Sequence, residues 1–394
     1  MTNEKLGIVV SDYNADITHL MSKIAEEHAE FLGAKVTKLM RVPGAFDMPL
    51  AVSVLVSKKE IEGVVCLGAV IEGDTEHDQI VANNAARKIA AAIANEVRER
   101  KYASLDEHCL EEYGSRPDDG KNSLKFPDKI KESLQDADVS FFVRGERKKG
   151  ERKSFVRPML DVVDSNPKLR HAHMPAITEE AFLSGMSSDY HKLSELTRKV
   201  HRRVKNARKI NVTTPSGSNF TAEFGYKWVI ADGIIKPIHW DNLPGSEVFT
   251  CPSNLEGKIV VDGGLGDYFD QKYGLLDETP LAIKAKKSRI VSVSCPANRS
   301  LESDFKEYIS TDENANRFGE FAIGTNIGIE KLLGNMLHDE KFPGVHVAVG
   351  HPYPKETGAD WDSEVHCDMV MRECNIFVEG VQIMKKGVFH RYLD

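Results

Sequence analysis

Six side chains toward the C-terminal end of this 394-residue chain have types and spacings suited to chemistry: Glu247, Glu320, His346, Tyr353, His366 and Asp368. His346 sits in Gly344-Val-His-Val-Ala-Val-Gly350, an alternation that predicts a strand with the imidazole on one face. His366-Cys-Asp368 places two ligand-type side chains at i and i+2, again on one strand face. Imidazole nitrogen and carboxylate oxygen bind zinc, cobalt or manganese well, and two ions sharing a bridging carboxylate can hold a hydroxide and polarise a carbonyl together. Neither pattern is specific alone. An HxD on a strand is more often surface or hydrogen-bonded polar structure, and an isolated glutamate such as Glu247 says less still.

The elements that must position these groups follow from periodicity. Residues 1–100 alternate strand and helix: Leu6–Ser11 predicts a strand, Asp16 a helix N-cap, and Ile17, Leu20, Met21, Ile24, Phe31 and Leu32 recur at helical spacing before Gly33. Lys35–Val42 predicts a second strand, Met48–Lys58 a helix, Gly63–Ala69 a third strand, and Ile89, Ile93 and Val97 a third helix. This is doubly wound α/β grammar. From 101 to 125 periodicity fails around Arg116-Pro117-Asp118-Asp119-Gly120, which marks a linker. Pattern resumes over 126–208 with Pro127–Asp136, Val139–Val143, Leu169–Met174, Thr178–Ser184 and Asp189–Ala207. From 209 to 394 short strands and turns dominate, with a Pro-Ser-Gly-Ser hairpin signal at 215–218. The expected fold is therefore an α/β doubly wound N-terminal part followed by an α+β domain.

Composition bounds the function. Lys and Arg total 52 against 60 Asp and Glu, a net charge of -8, so nothing global favours nucleic acid or an anionic membrane. The basic runs Arg144–Lys153 and Arg198–Lys209 read as solvated surface. Cys66, Cys109, Cys251, Cys295, Cys367 and Cys374 form no CxxC pair, which argues against a disulfide scaffold or a thiolate zinc site. No stretch approaches about 20 apolar residues, and the start MTNEKLGIVV lacks the pattern of a signal peptide. The expected compartment is the cytoplasm.

Several blocks in order, PAITEEAFLSGMSSDY, NLPGSEVFTCP, FGEFAIGTN, LLGNMLHDEKFPGVHVAVGHPYP and SEVHCDMVM, resemble the thermophilic metallo-aminopeptidases, the aminopeptidase T or leucyl aminopeptidase family, over roughly residues 104–394. The resemblance implies a cytoplasmic homodimer that removes N-terminal residues from peptides with two divalent ions (zinc, cobalt or manganese). Its metal ligands would be Glu247, Glu320, His346, His366 and Asp368. Tyr353 would lie at or beside the metals and stabilise an oxyanion, with Glu320 and Glu340 as alternative general bases. Two departures stand out: Ser246 replaces the glycine usual before the first glutamate, and the loop from Tyr353 to His366 is shorter than in many members.

Residues 1–100 resemble a second family, the archaeal form of lumazine synthase in riboflavin biosynthesis, through IVVSDYNADIT, VPGAFDMP and LGAVIEGDTEHD. The resemblance implies that Tyr13 stacks on a pyrimidine, Ala45, Phe46 and Asp47 hold a ribityl chain, Gly73, Asp74 and Thr75 bind a phosphate, and His77 is a general base. The rest of that family's domain is missing. Residues 1–100 are then either a retained scaffold replacing the start of the peptidase N-domain, or a residual site for a phosphosugar or flavin precursor. As a scaffold, the strand at 6–11 should share a sheet with the one at 139–143. The alternative functions are lumazine synthesis through His77 and a fused scaffold without activity.

Overall fold

The computed structural model describes residues 4–71, scattered positions from 81 to 96, and 106–117, 122–145, 150–237 and 239–390. Two compact units divide at His108/Cys109.

In the first unit, β1 (Lys5–Ser11), α1 (Ala15–Phe31), β2 (Lys35–Val42), α2 (Met48–Val56) and β3 (Gly63–Leu67) form two βα units and a closing strand. The sheet is parallel in the order β2-β1-β3. Ile8, Val9 and Val10 of the central strand are buried, as are Val52 and Leu55 of α2. The N-cap of α1 is Asn14 and not Asp16, which falls in the first turn. Asn14 is left-handed (φ 57), a conformation asparagine tolerates, and its side-chain amide donates to the Ala69 carbonyl at 2.8 Å. Ile89 and Ile93 have helical backbone, while Val97 lies outside the described residues.

The second unit begins with α3 (Asp128–Asp136), β4 (Val139–Arg144), α4 (Arg157–Ser165), β5 (Arg170–Pro175), α5 (Glu179–Leu183) and α6 (Tyr190–Val204). Strands β6 (Lys209–Thr213), β7 (Asn219–Phe224), β8 (Val229–Ala231), β9 (His239–Asn242), β10 (Glu247–Thr250) and β11 (Pro252–Val261) follow. Next come α7 (Gly266–Tyr273), β12 (Leu281–Lys286), β13 (Arg289–Ser294), α8 (Arg299–Tyr308), β14 (Phe318–Gly324), α9 (Met336–Asp339), β15 (Gly344–Gly350) and α10 (Pro354–Thr357). The chain closes with β16 (His366–Val370), β17 (Asn375–Val378), β18 (Val381–Lys385) and β19 (Val388–Phe389).

Three sheets result: parallel β4-β5-β9, antiparallel β16-β15-β14-β10-β8, and an eight-stranded antiparallel sheet β13-β12-β11-β7-β6-β17-β18-β19. Among the described residues, strand β1 pairs with β2 and β3. Within the span read as linker, Leu110, Tyr113 and Leu124 pack on the α3–α4 core with Phe155 and Met159, and Arg116 forks onto Glu151 at 2.7 and 2.9 Å. No helix of the described residues is long and apolar enough to cross a membrane.

Candidate metal centre

Four neighbouring strands of the five-stranded sheet carry the ligand-type side chains. The register aligns Asp368 with Ala348 and Ala348 with Glu320, His346 with Ala322, Glu247 with Gly324, and His366 with Gly350. Because side chains alternate across a sheet, Glu247, Glu320, His346, His366 and Asp368 all stand on one face, and apart from Val370 beside His346 their cross-strand partners on that face are alanine or glycine. Small partners leave room between the carboxylates and imidazoles. The opposite face carries Val345, Val347, Val349, Phe321 and Met369 into the core. All seven residues of β15 are therefore buried, and the alternation visible in sequence separates site from core, not inside from outside.

Distances define two overlapping clusters. His346 Nε2 lies 3.5 Å from Glu247 Oε2 and 3.8 Å from Glu320 Oε1. His366 Nε2 lies 3.4 Å from Glu320 Oε2 and 3.3 Å from Asp368 Oδ1. Glu320 thus offers one oxygen to each of two triads, while Glu340, His346 and Asp368 make a third grouping. Oxygens Glu247 Oε2 and Asp368 Oδ1 are buried with no hydrogen-bond partner, an expensive arrangement for carboxylates unless a cation completes it. The His366 ring is oriented from behind, with Nδ1–H donating to the His351 carbonyl at 3.0 Å, so that Nε2 faces the carboxylates.

Before any cation binds, the cluster gathers protons. Burial alone would lower both imidazoles, but Glu320, Glu247 and Asp368 around His346, and Asp368 and Glu320 around His366, raise each to about 9. Burial would raise Asp368, yet the His366 and His346 charges hold it at about 2. Burial pushes Glu340 up to about 8 and, with the nearby Glu320 and Asp368 charges, Tyr353 well above the phenol range. Tyr353 has its ring edge-on to His366, at 5.1 Å between centroids, and remains a hydroxyl donor across the neutral range.

Sequence reasoning missed Lys341. Its side chain is 1% exposed, and Nζ donates to Glu247 Oε1 at 2.5 Å and to Glu340 Oε1 at 2.7 Å. A chain of hydrogen bonds fixes the segment before it: the Ser184 hydroxyl meets His338 Nε2 at 2.8 Å, and His338 Nδ1 meets Asp339, which also accepts from the backbone N–H groups of Leu333 and Gly334. Arg144, read as surface, is 9% exposed and lines the cavity in front of the cluster; residues 146–149 of that basic run lie outside the described residues.

Ser246 has φ 96, the left-handed region where glycine is at ease, and its hydroxyl is buried without a hydrogen-bond partner. Strain and the orphaned hydroxyl together outweigh the extra unfolded-state entropy of glycine. Ser246→Gly is therefore expected to raise stability by about 1 kcal/mol, about 2–4 °C in Tm by calorimetry. A lower Tm would contradict this account of the position.

In the first unit, Tyr13 follows β1 and Ala45–Asp47 forms a short turn after β2, both at the carboxyl edge of the parallel sheet where ligands usually bind. Tyr13 and Phe46 are exposed, and Asp47 caps its own turn by accepting from Gly44 N–H at 3.0 Å. Gly73, Asp74, Thr75 and His77 lie outside the described residues.

Residues 185–388, just over half of the chain and containing all the ligand-type residues above, match the model of the thermophilic metalloprotease (M29) family. The chain belongs to that family. Residues 3–96 match a second family model, 6,7-dimethyl-8-ribityllumazine synthase. The 6,7-dimethyl-8-ribityllumazine synthase of Methanococcus maripaludis strain S2 is 60% identical over 85 residues, 22% of this chain and 62% of that protein. The one from Methanocaldococcus jannaschii is 61% identical over 85 residues, 22% of this chain and 60% of that protein. The chain thus spans about three-fifths of the length of the curated relatives it matches. Among solved structures, 2,5-dihydroxypyridine dioxygenase from Pseudomonas putida KT2440 shares the fold with TM-score 0.50 at 15% identity, over 98% of this chain and 92% of that one. Wild-type AmpT from Thermus thermophilus gives 0.49 at 15% identity, over 98% and 94%.

Proposed function

We propose that this metalloprotease is a two-metal aminopeptidase in which Glu247, Glu320 and His346 hold one divalent ion and Glu320, His366 and Asp368 the other. The observation that supports the reading most directly is Glu320, whose two oxygens face separate triads. The hard and borderline donor set, with no thiolate, fits zinc, cobalt or manganese. Two such ions, when bound, polarise a scissile carbonyl and make water a nucleophile near neutral pH. The chain's own groups do the rest. Glu340, raised to about 8 and within reach of the cluster, is placed to take a proton and return it to the leaving amine; in a bridging role Glu320 is less free to do so. The Tyr353 hydroxyl, protonated throughout, donates to the oxygen on which charge develops. The buried sheet face excludes bulk water from the clustered charges. A homodimer belongs to the same proposal.

Incubation of the full chain with cobalt or zinc and Leu-p-nitroanilide tests it. Release of p-nitroaniline is expected, with loss to background in a His366→Ala, Asp368→Ala double variant. No release above that variant across several metals and peptides would remove the aminopeptidase reading. A lumazine-type ligand site in the first unit is the second reading, favoured by the exposed Tyr13 and Phe46 at the strand ends, and retained lumazine absorbance in purified protein would support it.

A further inference from the structure

The cavity in front of the metal cluster has two chemically different ends. Its volume is about 750 Å³, within the range that encloses a ligand of a few residues. Glu340, Tyr353, His366 and Asp368 line one end. The other is built at the carboxyl ends of β4, β5 and β9, where parallel sheets bind ligands, and by the first turn of α4. This second end carries three guanidinium groups. Arg144 is the last residue of β4; Arg152 and Arg157 flank the turn that opens α4.

Arg152, Arg157, His351, Tyr353 and Asp362 all line the cavity, and the Arg152 charge acts on Tyr353 and His351 and the Arg157 charge on Asp362. Two acids on the same walls have other partners, Asp164 with Lys355 at 3.2 Å and Asp362 with His351, while Asp267 and Glu356 also line the cavity and Arg152 Nη1 donates to the Glu364 carbonyl at 3.3 Å. Asp161, one turn along α4 from Arg157, lines the cavity as well. A guanidinium fork matches a carboxylate in geometry as well as charge, which a solvated lysine does not.

We propose that Arg152 and Arg157, backed by Arg144, form a carboxylate subsite, and that the substrates are short peptides bearing a free carboxylate two or three residues beyond the scissile bond. The proposal rests on the aminopeptidase reading of the metal end. Two or three extended residues span about 7–11 Å, which suits a cavity of this volume. The carboxylate comes from the peptide's C-terminus or from an acidic side chain, and the chemistry recognised is the same.

The test uses the full chain with cobalt chloride and three peptides: Leu-Gly-Gly, its C-terminal amide, and Leu-Gly-Glu amide. Leu-Gly-Gly is expected to exceed its amide about tenfold in kcat/KM, chiefly through KM. That ratio should fall to about one in Arg157→Gln and again in Arg152→Gln. If Leu-Gly-Glu amide recovers the rate of the free acid, side-chain carboxylates are also accepted; if it matches the neutral amide, the subsite takes the C-terminal carboxylate, and both outcomes support it. Equal kcat/KM for all three peptides in the unaltered protein would overturn the subsite while leaving aminopeptidase activity standing. A ratio that persists in both arginine variants would overturn the assignment of these residues. Hydrolysis of none of the three would sink the aminopeptidase reading beneath it.

Discussion

Glu320→Ala is expected to lower kcat/KM for Leu-p-nitroanilide by about a thousandfold or more, the scale seen when a member of a concerted catalytic group is removed, and to reduce bound metal from two ions per chain to fewer than one. Glu320 is singled out because it turns a separate oxygen to each imidazole, whereas Glu247 faces His346 and Asp368 presents the same oxygen, Oδ1, to His366 at 3.3 Å and His346 at 4.0 Å. Elemental analysis alongside the assay checks this; a variant that keeps two ions would show that Glu320 does not bridge. Metal loading should also be pH-dependent in a stated direction. His346 and His366 are raised from 6.5 to about 9, so at pH 7.5 both carry a proton that ligation must expel. Affinity is therefore expected to rise with pH toward 9, and titration calorimetry in two buffers should detect proton release. Stability of the chelated protein runs the opposite way. The pair's contribution is fully present below pH 6.5 and is lost as pH climbs through about 9, because the folded state binds the protons more tightly than the unfolded chain does.

Much of this architecture is legible in sequence where local signals bound an element on both sides. Strand β2 occupies the expected Lys35–Val42 span because the mixed polar and apolar run there is bounded by Gly33 before it and Pro43-Gly44 after it. The β12–β13 hairpin follows for a similar reason, with Lys287 and Ser288 taking positive φ in the turn. The HxD and the histidine of β15 declare their strand faces by period alone. What period cannot supply is sheet order: Glu247 and Glu320 become neighbours only because β10 pairs with β14, a contact across more than seventy residues of chain. The same blindness explains Arg144 and Lys341. In a linear reading both belong to charged runs, and a charged run is normally solvated. Their burial is created by partners remote in sequence, the cavity walls in one case and Glu247 in the other.

Lys341→Met should have the largest effect on stability. The methionine keeps an unbranched apolar stem but removes the ammonium shared by Glu247 and Glu340. Burial alone would lower the lysine's pKa, yet these two carboxylates drive it above its ordinary value, so the charge is retained inside the protein. Removing one member of a buried ionic set leaves the others uncompensated, at a cost of about 3–5 kcal/mol, or about 6–20 °C in Tm for a domain of this size. That penalty belongs to the chelated protein. Divalent cations bring positive charge to the same carboxylates, so added zinc or cobalt should recover more Tm in Lys341→Met than in the unaltered chain. The lysine also engages Oε1 of Glu247 and leaves Oε2 facing His346, so its loss frees the carboxylate to turn. Calorimetry with and without chelator separates these contributions. An unchanged Tm in chelator would show that Lys341 is not balancing the glutamates. A penalty that metal does not reduce would show that the compensating charge and the metal-binding oxygens are not parts of one electrostatic unit.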